Sequence, residues 1–191
     1  FKKCVKLESI VFPPNLKEIK EKAFASCKSL TEIKLPSSIQ KLGSGVFKKC
    51  ESLKLVVIPG ILTIFPHDDV PQISEESPIQ NFCIPSKCFY KCKELYNVIV
   101  HKKCQIIDDS SFSSCSKLEN VILNISPQFK IGNSAFENCE QIKKVKIIGA
   151  KNPSLEFGNS SFQNCKELKE FSFDKPYSFP VTMNANVFKG C

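Results

Sequence analysis

Cysteine and histidine are the side chains of this 191-residue chain that could bind a metal ion or attack a substrate. A zinc site could be assembled from Cys83, Cys88, Cys92 and the His101/Cys104 pair, but structural zinc sites bring their ligands in more closely spaced pairs. Nucleophilic catalysis needs a cysteine or serine beside a histidine, and neither of the two histidines lies in a catalytic motif. Phosphate-binding glycine loops and nucleophile elbows are also missing from the sequence. We therefore expect no catalytic, metal-binding or cofactor-binding residues, and a thiol- or metal-dependent enzyme is a remote alternative.

The cysteines instead belong to a repeat. Phe-x-x-Cys occurs eight times, with its phenylalanine at positions 1, 24, 47, 89, 112, 136, 162 and 188. After each of the first seven cysteines, Leu or Ile follows three positions later, and two more apolar residues separated by one position come after it. The successive spacings are 23 to 26 residues except for one of 42. The unit is thus Phe-x-x-Cys-x-x-Leu-x-x-Ile-x-Leu, and the agreement is too regular to be chance.

The apolar pair that closes each unit predicts a short strand with one buried face. Pro13, Pro36 and Pro59 directly follow this pair in the first three units and end the strand there. A unit of this length has no room for a strand, a long helix and two loops, so each should be one coil of a solenoid with stacked parallel strands. The other half of each coil is predicted to be an extended return segment and a tight corner that carries the phenylalanine.

The repeated cysteines are predicted to be free and buried. Residues one coil apart would lie about 4.8 Å from each other, so distance alone does not exclude disulfides. A residue kept identical in every coil, however, suits a buried ladder of small hydrophobic side chains. Cys88 and Cys104 take other small or apolar positions of the repeat, whereas Cys83 has no core position to fill. Cys83 is therefore the candidate for an exposed thiol.

The net charge of +8 arises from 27 lysines without any arginine. Arginine makes the bidentate contacts to phosphates and guanine edges, and the lysines are spread along the chain instead of forming a block. We therefore expect no nucleic-acid partner, and interpret the lysines as a solvated surface with a general attraction for acidic partners. No apolar run reaches the roughly 18 residues of a membrane helix, so no membrane insertion is expected in this segment. Because it starts without methionine and ends abruptly, the chain is interpreted as an excerpt of a longer protein.

The 42-residue interval contains an insertion at about residues 60–81. It carries three prolines and four acids, which are Pro66, Pro71, Pro78, Asp68, Asp69, Glu75 and Glu76. Prolines at this density argue against a regular strand ladder, so the insertion is predicted to leave the stack as a surface loop. It is either a tolerated excursion or a partner-binding loop. The acids lack the alternating ligand spacing of a calcium-binding EF-hand.

The segment from Leu30 to Cys50 resembles the BspA-like class of leucine-rich repeat. It reads Leu-Thr-Glu-Ile-Lys-Leu-Pro-Ser-Ser-Ile-Gln-Lys-Leu-Gly-Ser-Gly-Val-Phe-Lys-Lys-Cys, and the family unit reads Leu-x-x-Ile-x-Ile-Pro-x-x-Val-x-x-Ile-Gly-x-x-Ala-Phe-x-x-Cys. The resemblance covers nearly the whole chain. In the later units the proline after the strand is replaced by His101, Asn124, Ile148 and Asp174.

This resemblance implies a leucine-rich repeat solenoid of the α/β class, mostly β. We expect a single array over residues 1–191, a right-handed stack of about seven coils with one parallel sheet on the concave face. The family is common among surface-exposed adhesion or host-interaction proteins of microbes, and the resemblance implies no catalytic residues.

One residue of each strand lies between the two buried ones and must point outward. These residues are Val11, Lys34, Val57, Ile99, Ile122, Lys146 and Ser172. Stacking of the coils would place Leu55, Val57, Ile99 and Ile122 together, and exposed apolar patches often mark protein contacts. The candidate partner-binding residues are Leu55, Val57, Tyr96, Ile99, Asn120 and Ile122. Strand propensity alone, or coverage by the insertion, is the alternative explanation of the apolar residues.

These features predict a non-enzymatic protein-interaction or adhesion module. It would present a curved parallel sheet to a protein or glycoconjugate partner, at a cell surface or after secretion. An intracellular leucine-rich repeat scaffold is the alternative, and the sequence leaves the oligomeric state open. Asn124-Ile-Ser126 and Asn159-Ser-Ser161 match the N-glycosylation sequon, although Pro127 disfavours the first.

Overall fold

The computed structural model describes residues 1–66, 81–149, 154–174 and 180–191, which form short strands joined by turns. The strands are β1 (Glu18–Ile19), β2 (Glu32–Lys34), β3 (Lys41–Leu42), β4 (Leu55–Ile58), β5 (Leu62–Phe65), β6 (Phe82–Ile84), β7 (Asn97–Val100), β8 (Cys104–Ile107), β9 (Asn120–Ile125), β10 (Gln128–Ile131), β11 (Lys144–Gly149), β12 (Ser154–Phe157), β13 (Glu170–Phe173) and β14 (Val181–Met183). These ranges contain no helix, and hence none that could cross a membrane. The predicted, mostly β solenoid is confirmed.

Six closing strands and β5 form a seven-stranded sheet in the order β13-β11-β9-β7-β5-β4-β2. The strand predicted around Val11 in the first coil does not form. Strands β7, β9, β11 and β13 are parallel neighbours, and the apolar residue of each unit is in register with the next, as in Val98, Val121 and Val145. β2 is likewise parallel to β4. The side chains of Val98, Val121 and Val145 are buried. The repeat spacing thus predicts the register, because a shift of one residue would turn the apolar side chains outward.

The prediction that the whole insertion leaves the stack is wrong for residues 62–65. β5 lies between β4 and β7 and is antiparallel to both, so the sheet is mixed and not purely parallel. The hairpin that joins β4 to β5 turns at Pro59 and Gly60, where Gly60 has a φ of 65° and Ile61 N donates to the Ile58 carbonyl at 2.9 Å. Proline followed by a residue with positive φ is the signature of a type II turn. The remainder of the insertion, residues 67–80, lies outside the described residues.

The return segments form a second set of strands. β6, β8, β10, β12 and β14 build a parallel five-stranded sheet, and β1 pairs with β3 in a separate parallel pair. The apolar residue that lies five positions before each phenylalanine is in register from coil to coil, as in Ile107, Ile131 and Phe157. Because these side chains are buried, the core lies between the seven-stranded sheet and the return strands.

The corner of each coil places one phenylalanine on the next. Neighbouring rings along the array have centroids between 5.0 Å (Phe136 to Phe162) and 5.8 Å (Phe24 to Phe47) apart and lie close to parallel. Each corner is closed by bonds between residues three apart, such as Cys27 N to the Phe24 carbonyl at 3.2 Å. The predicted tight corner is confirmed as a chain of turns.

A thiol ladder runs beside the phenylalanine stack. The Sγ–H of Cys50 donates to the Phe24 carbonyl at 3.2 Å, and that of Cys139 donates to the Phe112 carbonyl at 3.0 Å. Because the thiol both fills a small apolar slot and donates a weak hydrogen bond, the ladder explains why cysteine recurs in every coil. All eleven cysteines are free.

Burial of the motif cysteines differs between the interior and the ends of the array. The six interior motif cysteines are buried, whereas Cys4 and Cys191 in the terminal coils are exposed. Cys83 is only half-buried, so its predicted status as the exposed thiol is wrong. Cys4 and Cys191 are more accessible than the interior motif cysteines because, among the described residues, a coil stacks on only one side of each.

Two residues in each corner have left-handed backbone conformation. They lie two positions before and two positions after the phenylalanine, and non-glycine residues occupy most of these positions, with φ between 53° at Ser134 and 65° at Lys3. In the coils from Phe112 onward, these two left-handed positions hold Ser, Asn or Gly. In the earlier coils, Lys22, Lys49 and Lys87 are among the residues that occupy them. Lysine is an unusual choice for this conformation, which Gly and Asn adopt most readily.

Candidate functional site

The outward side of the seven-stranded sheet, called the outer face below, is widest over β9 and β11. β2 and β4 stop before Pro36 and Pro59, whereas β9 and β11 each run for six residues. Asn124 and Ile148 replace proline in these two strands, keep a backbone N–H and continue the ladder. β7 and β13 have four residues although no proline follows them, so loss of proline permits the extension but does not by itself produce it.

The open part of this face has an apolar floor. Ile99 lies opposite Ile122, and Ile122 lies opposite Lys146 on the next strand. Ile148 projects from the same side of β11, two residues beyond Lys146, and all four side chains are half-buried. Cross-strand neighbours of this kind have Cβ atoms about 5 Å apart. Ile99 and Ile122 are therefore direct neighbours, whereas Ile148 lies diagonally from Ile122 and opposite Asn124.

A shallow groove of about 500 Å³ lies over this floor. Its described lining includes Gly60, Ile99, His101, Ile122, Asn124 and Ile148. An adjoining cavity of about 440 Å³ shares Asn124 and Ile148 with it and continues to Pro127, and Lys102 and Lys103 line both. We call the two cavities together the β7–β11 groove. Its described lining contains lysines but no carboxylate, so its charge favours an acidic group on a ligand.

Two polar side chains of the groove are held in place by hydrogen bonds. His101 Nε2 and Thr63 Oγ1 lie 3.0 Å apart, and His101 N donates to the Ile61 carbonyl at 2.9 Å. Asn124 Nδ2 donates to the Val100 carbonyl at 3.0 Å. These contacts fix the polar wall relative to the apolar floor. Such an arrangement suits recognition of a bound chain or sugar, for which a few placed polar groups set orientation.

The six predicted contact residues do not form one patch. Ile99 and Ile122 are neighbours, and Asn120 Nδ2 donates to Asn97 Oδ1 at 2.8 Å across the same strand pair. Tyr96 directly precedes β7 and is half-buried. Leu55 and Val57, however, lie on β4 and are separated from β7 by β5.

The predicted contact between Val57 and Ile99 is wrong because Thr63 lies between them. Thr63 pairs with Val57 on one side and with Ile99 on the other. Its side chain and that of Phe65 are buried, with 1% and 5% exposure. This part of the outer face is therefore closed, and the exposed apolar surface shifts towards β9 and β11.

Sequence reasoning missed His101, Asn124 and Ile148 as lining residues. A signal was present, because these are positions at which the repeat loses its proline. The loss of proline makes these units match the repeat less well, but at Asn124 and Ile148 it lets β9 and β11 lengthen and contribute to the groove wall.

The thiols have the chemistry of core residues and not of nucleophiles. Burial raises the pKa of Cys83 to about 11 and that of Cys50 to about 12, and it also raises the pKa of Cys92 well above the ordinary value. A cysteine nucleophile needs the opposite shift, because the thiolate is the reactive form. Within the described ranges, no cluster of three or more His, Cys, Asp or Glu side chains could hold a metal ion.

Charged residues elsewhere on the surface form pairs between neighbouring coils. Lys143 Nζ lies 2.8 Å from Glu119, and Lys144 Nζ lies 2.9 Å from Glu170 at the edge of the outer face. The hydrogen bond from Lys144 lowers the pKa of Glu170. Exposed pairs of this kind contribute little to stability individually. They mainly neutralise charge along the stack.

The coil geometry agrees with a family match. The family described as "BspA type Leucine rich repeat region" matches residues 1–68 and 83–191, in six copies. The chain belongs to the BspA-type leucine-rich repeat family. The match to this BspA-type array is interrupted where the insertion falls, and the six copies compare with about seven coils expected from the Phe-x-x-Cys spacing.

Solved structures of leucine-rich repeat proteins are similar to this chain to different degrees. The leucine-rich repeat protein TpLRR of T. pallidum is 25% identical over 92% of this chain and 70% of its own, with a TM-score of 0.66. A leucine-rich repeat protein from Bacteroides ovatus is 19% identical over 100% of this chain and 72% of its own, with a TM-score of 0.42. The pneumococcal vaccine antigen PcpA is 19% identical over 91% of this chain and 47% of its own, with a TM-score of 0.44. No curated protein matches the BspA-type array.

Proposed function

We propose that this BspA-type array is a non-enzymatic interaction module that binds a protein or glycoconjugate partner in the β7–β11 groove. The observation that carries the proposal is the groove lined by Ile99, Ile122 and Ile148 beside fixed polar groups. Exposed apolar surface next to placed polar side chains is typical of contact sites. Of the residues predicted from the sequence, Ile99 and Ile122 lie at the centre of this surface, and Asn120 and Tyr96 flank it.

The reactive groups of the chain support a binding role over catalysis. His101 contacts Thr63, and apart from the half-buried Cys83 the cysteines are either core residues or lie in the terminal coils. Leucine-rich repeat arrays serve mostly as binding surfaces, since the stack offers an extended sheet face. Leu55 and Val57 lie on β4, which β5 separates from the groove, so they are a separate, outlying part of the proposed contact surface.

A cell-surface or secreted location is part of this proposal and is supported by the membership in the BspA-type family. The two sequons differ in accessibility: Asn159 is exposed, whereas Asn124 uses its amide within the fold. Eleven free thiols favour the alternative of an intracellular scaffold, because extracellular cysteines are commonly oxidised. The interior thiols are buried, however, and a buried thiol has little access to oxidant, so these free thiols are also compatible with an extracellular location. Surface labelling of intact source cells, followed by detection of the full-length protein, separates the two locations.

The contact surface is tested by exchanging Ile99 and Ile122 for glutamate together. The matched control is Ile106→Glu, because Ile106 is an exposed isoleucine on β8 of the other sheet. We expect the double variant to lose capture of partners from source-cell surface extracts and the control to retain it, with both variants folded by circular dichroism. Normal capture by the folded double variant would refute the groove as the contact site. Failure of that variant to fold would mean that both isoleucines are core residues.

A further inference from the structure

Lysines that are far apart in the sequence come together at the corner of the first four coils. Six of them define the basic ridge: Lys2, Lys3, Lys48, Lys49, Lys87 and Lys91. Backbone hydrogen bonds join these corners in sequence, from Lys3 N to the Ala25 carbonyl at 2.8 Å, from Ser26 N to the Lys48 carbonyl at 2.7 Å, and from Lys49 N to the Tyr90 carbonyl at 2.8 Å. Stacking therefore brings Lys48, Lys49, Lys87 and Lys91 together on two neighbouring coils. The coil between them and Lys3 carries Ala25 and Ser26 at these positions, and its Lys22 is paired with Glu21.

The basic ridge carries little compensating negative charge in direct contact with its ammonium groups. Many other lysines pair with glutamates of a neighbouring coil, as Lys117 does with Glu94 at 2.8 Å. Glu21 and Glu51 lie near enough to feel Lys2 and Lys49 but form no direct pair with them. In the described part of the chain, none of the six ridge lysines makes an ion pair. Asp109 borders the ridge, and its Oδ1 accepts a hydrogen bond from Asn133 N at 2.7 Å.

The fold itself does not require lysine at these positions. The same corner positions hold Ser113 and Ser114 in one later coil and Asn138 in the next. Lys49, Lys87 and Lys91 also have left-handed backbone, with φ of 61°, 57° and 59°, which costs a lysine more than an asparagine. Like-charge repulsion and backbone strain thus coincide on one ridge, and features that oppose folding are expected where a protein has a functional site.

Tyr90 organises the centre of the ridge. Lys48 Nζ lies 5.0 Å and Lys91 Nζ 5.3 Å from the centroid of the Tyr90 ring. Lysines of two neighbouring coils are therefore held near one half-buried aromatic ring, within the range of cation–π attraction. This contact brings the two ammonium groups together before any ligand arrives.

We propose that the basic ridge binds a linear acidic polysaccharide carrying sulfate or carboxylate groups. Clustered lysines attract polyanions such as heparin or nucleic acids, and the absence of arginine disfavours nucleic acid. Lys48 and Lys91 lie on neighbouring coils whose phenylalanine rings are 5.7 Å apart, so their positive charges adjoin. Successive acidic groups of a linear polymer can contact these neighbouring coils together. The ridge lies on the phenylalanine corner and not on the β7–β11 groove, so this proposal does not depend on the proposed function.

Heparin is the probe for the test, and substitutions taken from the later coils keep the fold. The variant K48S/K49S/K91N places at each position a residue found at the equivalent corner position around Phe112 or Phe136. The control variant K117S/K166S/K169S removes three positive charges outside the ridge. A lysine near an anionic surface contributes about fivefold in affinity, so we expect the ridge variant to bind heparin about 100-fold more weakly. The control is expected to stay close to the parent protein, and the affinity of the parent to fall as salt is raised.

Three results would overturn the proposal. The first is absence of heparin binding by the parent protein at about 0.15 M salt. The second is an equal loss in the ridge and control variants, which would assign binding to net charge alone. The third is binding to phosphatidylserine vesicles or to DNA, dependent on the ridge lysines, without binding to heparin. Circular dichroism and melting of both variants verify that they are folded.

Discussion

Phe47 and Phe89 are separated by the insertion in the sequence, yet their rings stack with centroids 5.7 Å apart and an interplanar angle of 18°. Cys92 Sγ–H also donates to the Phe47 carbonyl at 3.1 Å, as equivalent thiols do between coils without an insertion. The corner thus continues unbroken past the insertion. The insertion changes the seven-stranded sheet, by adding β5, and leaves the phenylalanine and cysteine ladders intact.

Replacing Phe112 with alanine should strongly destabilise the array. Phe112 is fully buried and its ring lies between those of Phe89 at 5.2 Å and Phe136 at 5.1 Å. Large-to-small changes of this type cost about 3 to 5 kcal/mol. Thermal and denaturant unfolding measure the loss, and Phe1→Ala is the control because Phe1 is 66% exposed at the end of the stack. An unchanged melting temperature for Phe112→Ala would show that the ring is not part of the core.

Replacing Ile64 with alanine should also destabilise the protein, because β5 is part of the sheet. Ile64 is buried and pairs with Val56 and Val98. We expect a loss of about 2 to 5 kcal/mol, compared with little change for Val11→Ala at an exposed site. If Ile64→Ala unfolds at the same denaturant concentration as the parent, residues 62–65 are a dispensable loop as the proline content had suggested.

Thiol labelling should follow position in the array. Cys4 and Cys191 are exposed and should react first with iodoacetamide, Cys83 more slowly, and the six interior motif cysteines only after unfolding. The pKa of Cys83 is raised to about 11, so its labelling rate should rise about tenfold per pH unit below that value. Mass spectrometry of peptides from partly labelled protein gives the order. Faster labelling of Cys83 than of Cys4 at neutral pH, or disulfides between successive motif cysteines, would contradict this description.

Stability should fall in alkali because the buried thiols hold their protons more tightly in the folded state. Burial raises the pKa of Cys50 to about 12, above the ordinary value of 9.0. The contribution of a group with a raised pKa is fully present below about pH 9 and is lost as the pH rises towards about 12, since only the unfolded chain ionises easily. Denaturant unfolding at about pH 7 and about pH 10 measures the loss. Cys50→Ala should show a smaller decrease between these two pH values than the parent, and an equal decrease would exclude ionisation of Cys50 as a cause.

The phenylalanine and cysteine positions predicted the fold well because each occupies the same site in every coil. A side chain such as Phe136 meets only its own equivalents, Phe112 and Phe162, on either side. The spacing of the repeat along the sequence therefore predicts which residues of neighbouring coils contact each other. In a protein without repeats, sequence spacing does not predict such contacts. The strand register of Val121 with Val98 and Val145 follows for the same reason.

The candidate site was less predictable because it depends on departures from the repeat. Prolines in the insertion suggested a loop, but Pro59 and Gly60 form the turn of a hairpin that places Thr63 between Val57 and Ile99. A strand added from an insertion has no counterpart in other coils, so no periodicity indicates it. The basic ridge was missed for a related reason, since Lys48 and Lys91 are far apart in sequence and meet only through stacking.

The most direct measurement for the proposed contact surface is photo-crosslinking from single positions of the outer face. A photoreactive phenylalanine analogue placed at Ile122, in the floor of the β7–β11 groove, is compared with the same analogue at Ile106 on the opposite sheet. We expect a crosslinked partner from position 122 and none from position 106 when the protein is irradiated with source-cell surface extract. Crosslinking of the same partner from position 106 and not from position 122 would contradict this prediction.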